Sequence, residues 1–203
     1  MKLLRTMTLA AAVVAAAGAI ASAGDPLSIG AKAPATDVKM KNVDGSMVSI
    51  ADAMGEKGTL VIFTCNHCPF VKAWQDRIVA LGNAFVDKGV GVIAVNSNDP
   101  GHHAEDGFDH MVKRAEKQGM KYPYVVDADS GVAKAFGATR TPEAFLFDAD
   151  GKLVYHGTID DNAQDPKKVE KHYLRDALQA VATGNEVPEA TTKAFGCGIK
   201  FRS

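Results

Sequence analysis

The chain has 203 residues, of which 46% are hydrophobic and 23% are charged, and this length suits one globular domain with a sizeable core. Its 23 basic and 24 acidic residues give a formal net charge of -1, and no basic run exceeds Lys167-Lys168, so binding to nucleic acid or to an anionic membrane is not expected. The three cysteines are too few for a disulfide-held scaffold, and the Cys-x-x-Cys spacing of two of them is more typical of redox or metal chemistry.

The N-terminus has the three parts of a secretory signal peptide. Basic residues near the start precede an apolar run at residues 9–20, and Ala21-Ser22-Ala23 forms a small-residue cleavage site. The apolar run is shorter than the roughly 20 residues that a membrane-spanning helix needs. We therefore predict a signal peptide at residues 1–23 and one mature domain at residues 24–203. This domain should be periplasmic or secreted, with no membrane insertion after cleavage.

The first half of the mature chain predicts a β-hairpin followed by a β–α–β unit. Residues 37–50 form two short strand patterns around Asp44-Gly45, which is a strong hairpin signal. The continuous apolar run at residues 59–63 suits a strand buried on both faces. Apolar residues then recur at steps of three and four over residues 70–85, which is typical of an amphipathic helix. The apolar run at residues 90–95 predicts a second buried strand, parallel to the first.

The second half predicts shorter elements around the step Thr141-Pro142. In chain order these are a charged helix at residues 109–118, a strand at 124–126, a short helix at 132–136, a hairpin with strands near 144–147 and 153–155, and a last helix that opens at Asp165-Pro166 and ends at Gly184. Together, the elements predict an α/β fold with a central mixed sheet flanked by helices and an N-terminal β-hairpin extension.

The segment Cys65-Asn66-His67-Cys68-Pro69 carries the predicted chemistry. The nucleophile in thiol–disulfide exchange is the thiolate, and a helix N-terminus lowers the pKa of a cysteine there. Pro69 suits the first position of the helix, because it lacks an N–H and has a preset φ. Cys68 is therefore expected at the cap, and a protonated His67 beside it would favour the thiolate.

Either cysteine of this pair could attack. In one arrangement Cys65 attacks and Cys68 resolves. In the other, which we favour, Cys68 attacks and Cys65 resolves, since Cys68-Pro69 lies five residues beyond Phe63, as Cys-Pro does beyond a similar phenylalanine in membrane-anchored reductases. His67 could alternatively be a solvated loop residue.

The sequence resembles the peroxiredoxin-like redoxins of the thioredoxin fold, close to the alkyl hydroperoxide reductase and thiol-specific antioxidant superfamily. Four segments carry the resemblance: residues 63–71 around the cysteine pair, Thr141-Pro142, residues 157–161, and residues 196–200. The resemblance implies a thioredoxin-like fold and oxidoreductase activity on protein dithiols or disulfides, or on small peroxides, with an external thiol reductant or oxidant and no cofactor.

The same resemblance implies roles for two further sites. Thr141 and Pro142 match the cis-proline loop that faces the redox pair, and such a loop would leave a free backbone edge for an extended substrate. Cys197 lies between two glycines in the tail. It is either a distant resolving cysteine for Cys65 or Cys68, or a small buried apolar side chain.

The sequence departs from true peroxiredoxins at the motif Pro-x-x-x-Thr/Ser-x-x-Cys. Counted back from Cys68, the hydroxyl position holds Cys65 and the proline position holds Val61. Counted back from Cys65, they hold Ile62 and Gly58. A thiol-dependent peroxidase is therefore an alternative rather than the main prediction.

A second alternative is a copper- or zinc-binding chaperone of the same fold. Cys65 and Cys68, with His67, His102 or His103, would supply thiolate and imidazole ligands, which suit Cu(I) and Zn²⁺. Related copper chaperones have a longer cysteine spacing, and His102-His103 is most simply a solvated loop pair, so we expect no metal. A third alternative is a binding domain that retains the fold without turnover.

Overall fold

The computed structural model describes residues 26–202. The signal peptide predicted at residues 1–23 lies outside the described residues and remains a prediction. Within the described range, no helix is long and apolar enough to cross a membrane.

A seven-stranded mixed sheet forms the centre of the fold. Its strands are β1 (Met40–Asn42), β2 (Met47–Val48), β3 (Gly58–Phe63), β4 (Val90–Asn96), β5 (Tyr124–Val126), β7 (Glu143–Asp148) and β8 (Leu153–Gly157), with β6 (Arg140–Thr141) and β9 (Cys197–Gly198) forming a separate ladder. The helices are α1 (Pro69–Val86), α2 (Phe108–Gln118), α3 (Gly131–Phe136) and α4 (Tyr173–Thr183). The strand order in the large sheet is β2-β1-β5-β4-β3-β7-β8.

The sheet confirms the predicted α/β class and the predicted β–α–β unit. Strand β3 pairs in parallel with β4, and β4 pairs in parallel with β5, while β7 and β8 add antiparallel strands on the other side of β3. The N-terminal hairpin of β1 and β2 is also present, and β1 extends the sheet by pairing with β5.

Strand β3 is buried along its whole length because both faces of the sheet are covered. Leu60 and Ile62 contribute to the core under α1, α2 and α4. Val61 and Phe63 point to the other face, where they contribute to the core under α3. This alternation fixes the register of β3, so the chain leaves the sheet at Phe63 and presents the cysteine loop at its carboxyl end.

The predicted start of the last helix is wrong. Asp165-Pro166 opens a separate single turn, Pro166–Lys168, in which the Asp165 side chain accepts a hydrogen bond from the Lys167 N–H. The backbone is extended at Val169, which ends this turn, and the Asp161 N–H donates to the Lys171 carbonyl. Helix α4 therefore begins only at Tyr173, although it ends at Gly184 as predicted.

Candidate functional site

Cys68 is the N-cap of helix α1, and Pro69 is the first helical residue, as predicted from the sequence. The Cys68 carbonyl accepts the N–H of Lys72 at 3.0 Å, which closes the first helical turn. The side chain is fully buried. The pKa of Cys68 is lowered to about 4, chiefly by the Cys65 thiol; burial opposes this effect, and hydrogen bonds from the Cys197 thiol and the Val71 N–H lower the pKa further.

The three cysteines come together around this cap. The Sγ atoms of Cys68 and Cys197 are 2.7 Å apart, although the residues are 129 positions apart in the chain. The hydrogen bond to Cys68, together with burial, raises the pKa of Cys65, and burial raises the pKa of Cys197 to about 11. Of the three cysteines, Cys68 is therefore the one whose surroundings favour the thiolate, while those of Cys65 and Cys197 favour the protonated thiol.

Thr141 and Pro142 form the opposite wall of the site, and the peptide bond between them is cis. The Thr141 carbonyl oxygen lies 3.2 Å from the Cys68 Sγ, and the Thr141 Oγ1 lies 3.3 Å from the Cys65 Sγ. This confirms the expected position of the loop beside the cysteines.

The backbone edge of this loop is not free, contrary to the prediction. Strand β6 pairs antiparallel with β9, so that Thr141 is opposite Cys197 and Arg140 is opposite Gly198. Local sequence patterns do not predict this pairing, because β9 has only two residues and lies far along the chain. Cys197 is half-buried in contact with Cys68, rather than a fully buried apolar side chain.

A buried carboxylate holds the loop between the two cysteines of the pair. Asp106 accepts the backbone N–H of Asn66 at 2.6 Å and that of His67 at 2.9 Å, and it also accepts the side-chain amide of Asn98 at 2.8 Å. Burial raises the pKa of Asp106, but these hydrogen bonds outweigh it and leave the pKa below its ordinary value. Asp106 is therefore ionised and fixes the loop in one conformation.

The His67 ring lies against Asp106 and Cys65. Its Nδ1 is 2.6 Å from Asp106 Oδ2 and 3.7 Å from the Cys65 Sγ, and the ring stacks on His103 at 3.7 Å between centroids. His102 and His103 are both exposed, as expected for a solvated loop pair, and the His103 ring also stacks on His67. The effect predicted for His67 on the Cys68 thiolate stays a prediction.

The opposite side of the loop is held by an arginine from α2. Arg114 donates to the carbonyl oxygens of Cys65 at 3.1 Å and Asn66 at 2.6 Å, and to Gln75 Oε1 at 2.7 Å. The Tyr124 hydroxyl donates to Asn66 Oδ1 at 3.0 Å. Asp106, Arg114 and Tyr124 thus hold the cysteine loop in place, while the Cys68 sulfur lies at its edge.

Sequence reasoning missed Asp106 and Arg114, although a signal for Asp106 existed. The loops that follow two adjacent parallel strands meet at the same edge of a sheet. The polar segment after β4 was therefore bound to lie beside the cysteine loop after β3, and a carboxylate there is suited to bind exposed backbone N–H groups. Arg114 lies in a charged helix, where nothing distinguishes it from its solvated neighbours.

One group in residues 26–202 has the composition of a metal site. Side-chain ligand atoms of Cys65, His67 and Asp106 lie within 4.8 Å of one another. The His67 Nδ1, however, is at hydrogen-bond distance from Asp106, and the carboxylate already accepts three other hydrogen bonds. The donor set is therefore explained by its internal hydrogen bonds and does not fit the thiolate-rich site considered for copper or zinc.

Comparisons with known proteins identify the family of the chain and relatives of its fold. The family model described as Redoxin matches residues 28–173. A solved structure of an uncharacterized conserved protein from Geobacillus kaustophilus is 40% identical, with 86% of this chain and 93% of that chain covered and a TM-score of 0.80. The thioredoxin domain of a thiol-disulfide oxidoreductase from Bacteroides vulgatus shares the fold, with 24% identity, 65% and 89% coverage and a TM-score of 0.54.

Among curated proteins, similarity is found to the thiol-disulfide oxidoreductase ResA of Halalkalibacterium halodurans. The two are 25% identical over 121 residues, which is 59% of this chain. The match spans 64% of the length of that relative.

Proposed function

Because the chain belongs to the redoxin family, we propose that it is a thiol–disulfide oxidoreductase whose attacking group is the thiolate of Cys68. Its substrates are then disulfides or dithiols of other proteins, exchanged with an external thiol reductant or oxidant.

One observation carries this proposal, which is the cluster of three thiols at the N-terminus of α1. Only Cys68 has its pKa lowered, to about 4, and it has a second sulfur 2.7 Å away. A thiolate that is ionised at neutral pH can attack a disulfide, and a neighbouring thiol can then release the product by attacking the mixed disulfide. The cluster has both groups.

The Cys68→Ser variant tests the proposal. We expect its rate of insulin reduction with a dithiol donor to fall at least about 100-fold, because the hydroxyl of serine is not ionised near neutral pH. The matched control is Ala80→Ser, a substitution on the exposed face of the same helix, which should retain the parent rate. Thermal unfolding of both variants checks that they are folded. A Cys68→Ser protein as active as its parent would refute the proposal.

Small peroxides are a second class of oxidant for the same thiolate. The position that holds the activating hydroxyl in peroxiredoxins is Cys65 in this chain, and the nearby Thr141 hydroxyl contacts Cys65. This arrangement favours disulfides as substrates. Hydrogen peroxide consumption, measured in the same preparations, separates the two activities.

Export is the cellular setting that we propose for this chemistry. It rests on the basic, apolar and small-residue pattern of residues 1–23. The N-terminal sequence of the protein recovered from a periplasmic or culture fraction tests it, and a retained Met1 in that fraction would contradict cleavage after Ala23.

A further inference from the structure

The reactive sulfur of the proposed oxidoreductase is covered by the tail of its own chain. The Cys68 side chain has 0% exposure, and both Cys197 and the Thr141 carbonyl lie on it. A disulfide of another protein cannot reach this sulfur while β9 is in place. The strand that covers the site must therefore take part in the reaction or leave.

We infer that β9 is a built-in stand-in for the substrate: it holds Cys197 where the cysteine of an extended polypeptide meets Cys68, and the working disulfide of the protein joins Cys68 to Cys197. This inference rests on the proposed function, since it names the resolving cysteine and the substrate class of that same site.

The backbone contacts of the tail are those of strand addition to an edge. Cys197 and Gly198 pair with Thr141 and Arg140, and the Ile199 N–H donates to the Thr139 carbonyl at 2.9 Å. In this mode of recognition, main-chain hydrogen bonds supply affinity and alternate side chains supply specificity. The same main-chain groups are available to any extended polypeptide that replaces β9.

A steric constraint at the residue before the cysteine gives the site its specificity. A Cβ added at Gly196 would lie 2.1 Å from the Thr141 carbonyl oxygen. Because this oxygen belongs to the backbone, it cannot move aside as a flexible side chain could. A Cβ added at Gly198 would find its nearest neighbour, the Thr139 carbonyl oxygen, only at 4.0 Å. The site therefore selects glycine before the cysteine and tolerates a larger residue after it.

An aromatic contact defines the next position. Phe195 packs edge-on against Phe70 at 4.8 Å and Trp74 at 6.5 Å between ring centroids, yet it stays 52% exposed. An exposed aromatic residue on two fixed rings is an anchor that another aromatic side chain can replace. The substrate class that fits is an extended polypeptide with an aromatic residue, a glycine and a cysteine in succession.

The exchange balances with one external disulfide and one external dithiol. The Cys68 thiolate attacks the substrate disulfide, forms a mixed disulfide and expels one substrate thiolate. The Cys197 thiol then loses its proton to solvent and attacks the Cys68 sulfur, which forms the Cys68–Cys197 disulfide and releases the second substrate thiolate. An external dithiol later reduces this disulfide and is itself oxidised, which restores both thiols.

The positions of the sulfurs favour Cys197 over Cys65 as the resolving cysteine. Cys65 is fully buried, while Cys197 is partly exposed, so an incoming thiolate can reach only the Cys197 sulfur of the disulfide. Attack there expels Cys68, and the sulfur of lowest pKa is the better leaving group. A disulfide between Cys65 and Cys68 would offer the reductant no exposed sulfur.

Mapping of the disulfide tests the inference on the full chain. The reduced protein is first oxidised with the disulfide form of a small dithiol. Peptide mass analysis is then expected to find Cys68 linked to Cys197. The rate of linkage should fall at least about tenfold in Gly196→Ala, whose methyl group clashes with the backbone, and it should be retained in Gly198→Ala. A link between Cys65 and Cys68 would overturn the inference and leave the proposed function standing. Absence of any link, together with absence of insulin reduction, would overturn both.

A peptide series tests the substrate class without altering the tail glycines. Cys197→Ser protein is mixed with Phe-Gly-Cys-Gly, Phe-Ala-Cys-Gly or Phe-Gly-Cys-Ala peptides, each carrying an aromatic thiol on its cysteine. Attack by Cys68 on the peptide sulfur releases the coloured aromatic thiolate. We expect the alanine-before-cysteine peptide to react at least about tenfold more slowly than the other two. Equal rates for the three peptides would refute the preference for glycine before the cysteine. The proposed function would not be affected, because the Cys68→Ser comparison tests it separately.

Discussion

Replacement of Cys65 by alanine tests the cause of the low pKa of Cys68. The hydrogen bond from the Cys65 thiol is the largest contribution to that pKa, which lies at about 4. A hydrogen bond to a charged group contributes about 1.5–3 kcal/mol, and one pKa unit corresponds to about 1.4 kcal/mol. Loss of the Cys65 thiol should therefore raise the pKa of Cys68 by about one to two units, to about 5–6.

The ultraviolet absorbance of the thiolate in the reduced protein measures this change directly. Cys65 and Cys197 have raised pKa values, so only Cys68 should lose its proton below pH 9. At pH 5 the thiolate fraction should fall from about 90% in the parent to between about 10% and 50% in Cys65→Ala. The rate of disulfide exchange at that pH should fall in proportion.

The conservative Cys65→Ser variant is the matched control. The serine hydroxyl can donate the same hydrogen bond. The pH at which half of Cys68 is thiolate should therefore lie closer to the parent value than to that of the alanine variant. A midpoint in Cys65→Ala that equals the parent value would refute the assigned cause, and the helix N-terminus would then be the main source of the acidity.

Two further substitutions test the scaffold of the site. Asp106→Asn should lower the free energy of unfolding by about 2–4 kcal/mol in urea titrations, because an amide cannot accept all the hydrogen bonds of the loop. Since the folded-state pKa of Asp106 is lowered, this difference should be full above the unfolded-state pKa of about 4 and should be lost as the pH falls further, through the lower folded-state pKa; a pH-independent difference would contradict it. Gly82→Ala should cost about 1–3 kcal/mol, because its Cβ would lie 2.3 Å from the Tyr122 ring, and an unchanged unfolding midpoint would show that this ring can move.

Local patterns in the sequence predicted the elements that position the site. The apolar run of β3 and the three- and four-residue steps of α1 are enforced by burial, so they are visible in the sequence itself. Pro69 marked the start of the helix and thereby placed Cys68 at its cap. The start of the last helix was misread because Asp165-Pro166 is equally suited to open a single turn closed by its own side chain.

Long-range contacts account for what the sequence did not reveal. The contact between Cys197 and Cys68 depends on a two-residue ladder between β6 and β9, and so short a strand has no periodicity. Family resemblance marked Cys197 as a candidate but left its partner open. Only the folded chain shows that its sulfur lies against Cys68 and that the tail fills the edge predicted to be free.

The hydrogen bond from Cys65 also gives this buried cysteine a role in the site, although the disulfide that we assign joins Cys68 to Cys197. When Cys68 and Cys197 are joined, Cys65 remains a thiol beside the Cys68 sulfur. As a reductant attacks Cys197, negative charge develops on the departing Cys68 sulfur, and the preformed donor stabilises it without reorganisation. Cys65→Ala should therefore slow reduction of the disulfide as well as raise the pKa of Cys68, while Cys65→Ser should largely preserve both. A variant that raised the pKa but left the reduction rate unchanged would show that the departing sulfur is stabilised by other groups.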